Sequence, residues 1–330
     1  MPDGESGGPG LLALDPYARD YAFGGVRLGA YGKRIAGRTA ETWEFSLYPG
    51  RESRLQDSGE RLDAYLERAW GLGEAARARL PLVKLLDVQG ELPVHCHPGD
   101  AQARALGGDD PGKDEAWLVL EAGPDAAVYL GFEEPLTNED CHRAVADGSL
   151  RERMVRFVPK AGDVVMVPHA VAHSARDIVI WEVQERSDRS LLAEAVDLWA
   201  RPLAPAAVHA QTEGFLGVVR RGPPPPGLHV PAALPERLGS DPLALAGCEH
   251  FVMQALAPAG ASALPPGAYT VLSGAVGPGG PLGAGATFLV GPGPQRVEPR
   301  AAGTRLLRAW RPEPGDEAAL RSLGRHFEAL

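Results

Sequence analysis

The sequence predicts a mainly β protein: a β-sandwich or jelly-roll barrel with a few helices, followed by a second, smaller β unit. Three observations predict it. Short apolar runs recur between Gly- and Pro-rich turns, as in stacked or closed antiparallel sheets, and the chain holds 41 Gly and 31 Pro to make them. At 330 residues it can bury a substantial core, enough for two domains or one large β domain with additions. The run Val94-His95-Cys96-His97-Pro98 carries two histidines inside an apolar strand pattern, where core chemistry is expected.

In order, residues 1–10 are Gly, Pro and acid and read as a disordered start. Residues 42–48 alternate and stop at Pro49-Gly50, which marks a strand. A helical insertion is expected at about 59–78, because Leu62, Tyr65, Leu66, Ala69 and Trp70 fall at three- and four-residue steps. Strands follow at 82–88, 94–98, 115–120 and 126–131. Thr137-Asn138-Glu139-Asp140 reads as a capping box that opens a short helix ending near Asp147-Gly148. Strands at 155–158, 163–167 and 178–184 complete a first domain placed at 11–199. Residues 200–245, with Pro223-Pro224-Pro225-Pro226, form a Pro-rich connection. The second unit, 246–330, shows strands at 251–256, 269–272, 286–290 and 304–310 and a closing helix at 316–330.

Composition narrows the partners. A formal charge of -10 leaves no basic stripe for nucleic acid or an anionic membrane surface, although a few local Lys and Arg suffice for a small phosphorylated ligand. The 3 cysteines, Cys96, Cys141 and Cys248, are odd in number and far apart, which argues against a disulfide framework. No apolar run is long enough to span a bilayer, and the start lacks the pattern of a secretory signal. The expectation is a cytoplasmic protein, monomeric or homodimeric, that binds a small molecule.

The chemistry centres on His95 and His97. Residues two apart on a strand share a face, and two imidazoles buried side by side need partners. Glu115 stands at the mouth of another apolar strand, where a cation would offset the cost of burying its carboxylate. His169 and His173 compete for a further position; His173, at a strand start, is preferred and His169 is read as a rim residue. His95, His97, Glu115 and His173 thus form a candidate metal site with positions open to substrate or water. Lys113, two residues before Glu115, shares its face and is placed to hold a substrate oxygen or phosphate, or to move a proton, unless it is a solvated loop lysine. Cys96 points to the opposite face and reads as a small core residue. His142, His209, His229, His250 and His326 read as surface or packing residues.

With those residues in place, the stretch 20–190 resembles the type I mannose-6-phosphate isomerases of bacteria, in the cupin superfamily. The resemblance rests on Phe23-Gly24-Gly25, Glu41-Thr42-Trp43-Glu44-Phe45-Ser46 and Leu82-Val83-Lys84-Leu85-Leu86-Asp87. It continues through Val94-His95-Cys96-His97-Pro98-Gly99-Asp100 and Gly112-Lys113-Asp114-Glu115-Ala116-Trp117. Gly162-Asp163, Val167-Pro168 with His173, and Glu182-Val183-Gln184 with Ser187-Asp188 complete it. The C-terminal half matches weakly, chiefly at Cys248-Glu249-His250-Phe251. The resemblance implies a cupin jelly-roll barrel with a smaller, degenerate cupin-like second domain. It implies a zinc-dependent aldose–ketose isomerase converting mannose 6-phosphate to fructose 6-phosphate through an enediol(ate). His97, Glu115 and His173 carry over as ligands, and His95 stands where the family usually has Gln. The family arginine that follows Ser-Asp falls at Leu192. Arg186 and Arg189 are close by, and Arg189 is the candidate catalytic replacement if its strand turns it inward. Three His and one Glu also suit iron or manganese, with nickel a further candidate. The alternative reading is therefore a metal-binding cupin of other activity: an oxygenase, a decarboxylase, or a sugar-binding protein that does not isomerise.

Overall fold

The computed structural model describes residues 11–313 except 36, 237, 240, 278–280 and 293–294. The start expected to be disordered and the closing helix expected at 316–330 lie outside the described residues. Two antiparallel sheets carry the chain. The larger runs, edge to edge, His229–Val230, Val164–Val167, Glu115–Phe132, His173–Gln184, Leu82–Glu91, Glu41–Phe45 and Tyr17–Arg19. His95–Cys96 adds to His173–Gln184, and Leu191–Leu192 adds to His95–Cys96. The second sheet runs Leu243–Gly247, Val252–Leu256, Arg305–Trp310, Gly267–Ser273, Thr287–Val290, Leu12–Asp15 and Arg54–Leu55. The mainly β architecture expected from the sequence is the one observed.

Period-two alternation explains how one strand serves both a core and a site. Within His173–Gln184, Trp181 donates its indole N–H to Thr270 Oγ1 of the second sheet at 3.1 Å, while the next residue, Glu182, lines a cavity on the opposite face. Buried apolar residues of both sheets, among them Phe45, Leu85, Met253, Leu289 and Leu307, form one continuous core. The second sheet therefore backs the first as a rigid layer.

Several elements differ from expectation, each for a physical reason. Leu12–Asp15, at the start of the stretch assigned to the first domain, pairs with Thr287–Val290 in the second sheet, burying Leu12 and Leu14. Pro16 then turns the chain into Tyr17–Arg19 of the first sheet. The Pro-rich connection holds a helix, Pro205–Leu216, with Pro at its first position, where the missing N–H has no intrahelical partner to lose. A further helix, Asp100–Leu106, follows Gly99, whose N–H is accepted by Gln102 Oε1 at 3.0 Å. The expected helices are present: Leu62–Trp70 buries Leu62, Tyr65 and Leu66 and stops at Gly71 with φ 64°. Asn138–Asp147 is capped by Thr137, whose Oγ1 accepts from the Asp140 N–H at 3.1 Å. Among the described residues no helix is long and apolar enough to cross a membrane.

Candidate metal centre

The structure brings ligand atoms of His95, His97 and His173 within 4.8 Å of one another and sets Glu115 against His97 and His173. His173 pairs directly with His95 across two strands, and His97 follows on the same face. The ring centroids are 4.0 Å apart for His95 and His173, 5.0 Å for His95 and His97, and 4.8 Å for His97 and His173. Each Nδ1 faces a main-chain carbonyl: Pro93 at 2.8 Å from His95, Arg189 at 2.9 Å from His97 and Val171 at 2.9 Å from His173. A carbonyl only accepts, so each Nδ1 carries the proton and each Nε2 keeps a lone pair.

Two of those lone pairs, on His97 and His173, face a carboxylate. His97 Nε2 lies 3.2 Å from Glu115 Oε2, and His173 Nε2 lies 3.3 Å from Glu115 Oε1. His97, His173 and Glu115 are at most 1% exposed, and neither imidazole Nε2 has a hydrogen-bond donor among the described residues. Acceptor against acceptor in a dry interior is unfavourable, and protonation of His97 does not relieve it. Burial and then the Lys113 ammonium hold His97 down at about 3, and burial with the two other imidazoles holds His95 well below its usual range. Burial pushes the Glu115 carboxyl up, but the Lys113 ammonium outweighs it and keeps Glu115 ionised. Orphaned imidazole nitrogens, a carboxylate, and Nδ1–H groups oriented by carbonyls are the donor set of a divalent ion. These residues fit one.

Beside this centre a row of side chains crosses the sheet at matched register, Trp117 to Glu182 to Lys84 to Trp43. Trp117 Nε1 donates to Glu115 Oε1 at 3.1 Å and to Glu182 Oε2 at 3.0 Å. Lys84 Nζ is 3.1 Å from Glu182 and 3.7 Å from Glu41, and Lys113 Nζ is 3.0 Å from Glu115 Oε2. Burial lowers Lys84, but Glu182 and Glu41 outweigh it and keep the ammonium charged. Burial, with the Glu115 charge, raises the Glu182 carboxyl above its ordinary range. The row and the metal centre share a cavity of about 170 Å³, room for a small polar ligand and not for a polymer.

Other candidates sit elsewhere. Arg189, the catalytic candidate on the condition that its side chain turns inward, instead donates from its guanidinium to the carbonyls of Ala103, at 3.1 Å, and Gly107. What meets the centre is the Arg189 carbonyl, on His97. Leu192 lines the cavity instead; an odd spacing of three residues turns the two side chains to opposite sides. Arg186 binds the Leu47 carbonyl and Glu74. His169 is held by Asp114 Oδ1 through its N–H at 2.7 Å and Nδ1 at 2.9 Å. Cys96 is buried in a core cluster with Val94 and Phe215. His229 pairs with Asp163 and His250 with Glu185; His326 lies outside the described residues. Sequence reasoning assigned no role to Lys84, Glu182, Glu41, Tyr21 or Arg19. For Lys84 and Glu182 the signal was available: a charged residue inside an apolar strand, the pattern that singled out Glu115. For Arg19 there was none.

No family model matches the chain. The mannose-6-phosphate isomerase ManA of Bacillus subtilis (strain 168) is 29% identical over 185 residues, 54% of this chain and 58% of that protein. The match thus spans little more than half the length of its relative. The crystal structure of the mannose 6-phosphate isomerase from Bacillus subtilis superposes with a TM-score of 0.73 at 20% identity, covering 91% of this chain and 99% of that one. A zinc-bound mannose 6-phosphate isomerase gives 0.66 at 17% identity over 92% and 100%. At such identities the structures establish the shared fold. With the sequence match over 54% of the chain, they show a similarity to these isomerases in sequence and in fold.

Proposed function

We propose that the protein is a metal-dependent aldose–ketose isomerase that converts mannose 6-phosphate to fructose 6-phosphate, with zinc held by His95, His97, His173 and Glu115. One observation carries the reading: two buried imidazole lone pairs face the two oxygens of one ionised carboxylate. The kinship with ManA and the zinc-bound relative supports the choice of reaction and metal. When bound, a divalent ion supplies Lewis-acid polarisation of the sugar oxygens between which the proton moves.

The chain's own groups do the rest. Glu182 takes the proton from one sugar carbon and returns it to the next; burial and the Glu115 charge raise its carboxyl, which strengthens it as a base. Trp117 and Lys84 hold its two oxygens in place. Lys113 is placed to hold a substrate oxygen, or to pass a proton, beside Glu115. Arg189 contributes through its carbonyl, which fixes the His97 ring.

Metal analysis with a coupled assay for fructose 6-phosphate tests the proposal. Stoichiometric zinc with turnover is expected; iron or manganese without turnover refutes it in favour of a cupin oxygenase or decarboxylase. His97→Ala is expected to weaken metal binding by about 100-fold or more. A variant that keeps one equivalent at wild-type affinity overturns the ligand assignment.

A further inference from the structure

The cavity at the metal centre has three cationic side chains, Arg19, Lys84 and Lys113. Two are already matched by acids, Lys84 by Glu182 and Glu41 and Lys113 by Glu115. Arg19 is different. Its guanidinium donates to the Tyr21 hydroxyl oxygen, and no ion pair to it is found among the described residues. The cavity's remaining carboxylate, Asp188, is occupied by Arg51. Tyr21 also lines the cavity. Burial, then Glu41 and Asp188, push its phenol up so that it stays protonated; having accepted from Arg19, it retains an O–H to donate.

Sheet order sets where this pair acts. Tyr17–Arg19 is the edge strand, and Arg19 pairs with Glu41. Four strand steps separate it from Glu115–Phe132, which carries the metal-centre carboxylate. At about 4.8 Å per step the row spans roughly 19 Å along the sheet, less the inward reach of side chains at both ends. At the metal end the residue next to His95 across the strands is Leu192, which is apolar. The unmatched positive charge therefore lies at the end of the cavity far from the metal.

We propose that Arg19, assisted by the Tyr21 hydroxyl, binds the terminal phosphate of the substrate while the sugar's carbonyl end meets the metal centre. This rests on the isomerase reading for the identity of the sugar and adds where its phosphate sits. A guanidinium matches phosphate geometry with two parallel N–H donors, which a lysine cannot reproduce.

The test is calorimetric titration of the zinc-loaded protein with mannose 6-phosphate and with mannose, for wild type, Arg19→Leu and Arg19→Lys. Arg19→Leu is expected to weaken mannose 6-phosphate binding by about 10- to 100-fold, leaving mannose binding and zinc content unchanged. Arg19→Lys, which keeps the charge and guards against misfolding of the first variant, is expected to lose less. Unchanged mannose 6-phosphate affinity in Arg19→Leu, equal weakening of both sugars, or a wild type that does not prefer the phosphorylated sugar overturns the proposal. Turnover on the same samples separates the two readings. Arg19-dependent binding without isomerisation defeats the isomerase and leaves the phosphate site standing. Isomerisation with KM and kcat unchanged in Arg19→Leu does the reverse.

Discussion

Replacing Lys113 with Met probes the metal centre through its electrostatics. Lys113 Nζ lies 3.0 Å from Glu115 Oε2, and the two side chains are 5% and 1% exposed. At an effective dielectric constant of about 20, unit charges at that distance attract by about 5 kcal/mol, and removing one partner of a buried pair typically costs about 3–5 kcal/mol. In the metal-free protein the variant leaves a buried carboxylate facing two imidazole lone pairs, so the full cost applies. At roughly 2–3 °C per kcal/mol for a domain of this class, the melting temperature should fall by about 6–15 °C. With zinc bound, the ion balances Glu115 and the drop should shrink to less than half of that. Thermal melts of chelator-treated and zinc-loaded protein, wild type and Lys113→Met, read all four values. The metal-free loss should also diminish at acid pH, where a protonated Glu115 can donate to an imidazole. An equal drop with and without zinc would falsify the reasoning, because it would mean that no cation reaches Glu115.

Two other perturbations are informative. Burial, then the charge of Asp114, pushes Glu185 up to about 8. Folded protein therefore holds a proton there that unfolded chain releases near pH 4.5, and stability declines as pH rises from about 4.5 to 8. Glu185→Gln should flatten the urea midpoint over that window, and wild-type and variant curves that stay parallel would contradict it. A side chain at Gly112 would place its Cβ 2.5 Å from the Asp100 amide nitrogen and 2.8 Å from the Gly99 carbonyl carbon, both main chain. Gly112→Ala should cost about 1–3 kcal/mol and lower kcat by displacing the adjacent Lys113; denaturation and kinetics at wild-type values would rule out the close approach.

Much of the site was legible because its signals are local. His95 and His97 share a face by strand parity, and Glu115 is a carboxylate among apolar neighbours; neither inference needs the topology. Arg189 shows the limit of such reasoning. Nearness in sequence to Leu192 made it the natural replacement, yet parity turned its side chain to the Ala103 and Gly107 carbonyls. Arg19 was invisible for the opposite reason. It ends a three-residue strand, and only the pairing of Tyr17–Arg19 with Glu41–Phe45 brings it to the cavity. Pro205–Leu216 was hidden by composition: prolines on either side read as a connection, although one of them sits at the helix start.

The same nonlocality explains why the second sheet matters to a site to which it contributes no ligand. The strand that carries His173 and Glu182 is tied to it through Trp181 and Thr270. The strand that carries Glu41 is tied to it by Glu44, which accepts from Thr287 Oγ1 at 2.9 Å and pairs with Lys33. These bonds fix one face of each strand, and alternation transmits the placement to the other face, where Glu41 and Glu182 share Lys84. A dry cluster of like-acting acceptors tends to relax apart unless its scaffold resists. Here the resistance comes from a continuous core shared by both sheets, so the second unit acts on the chemistry through rigidity rather than contact.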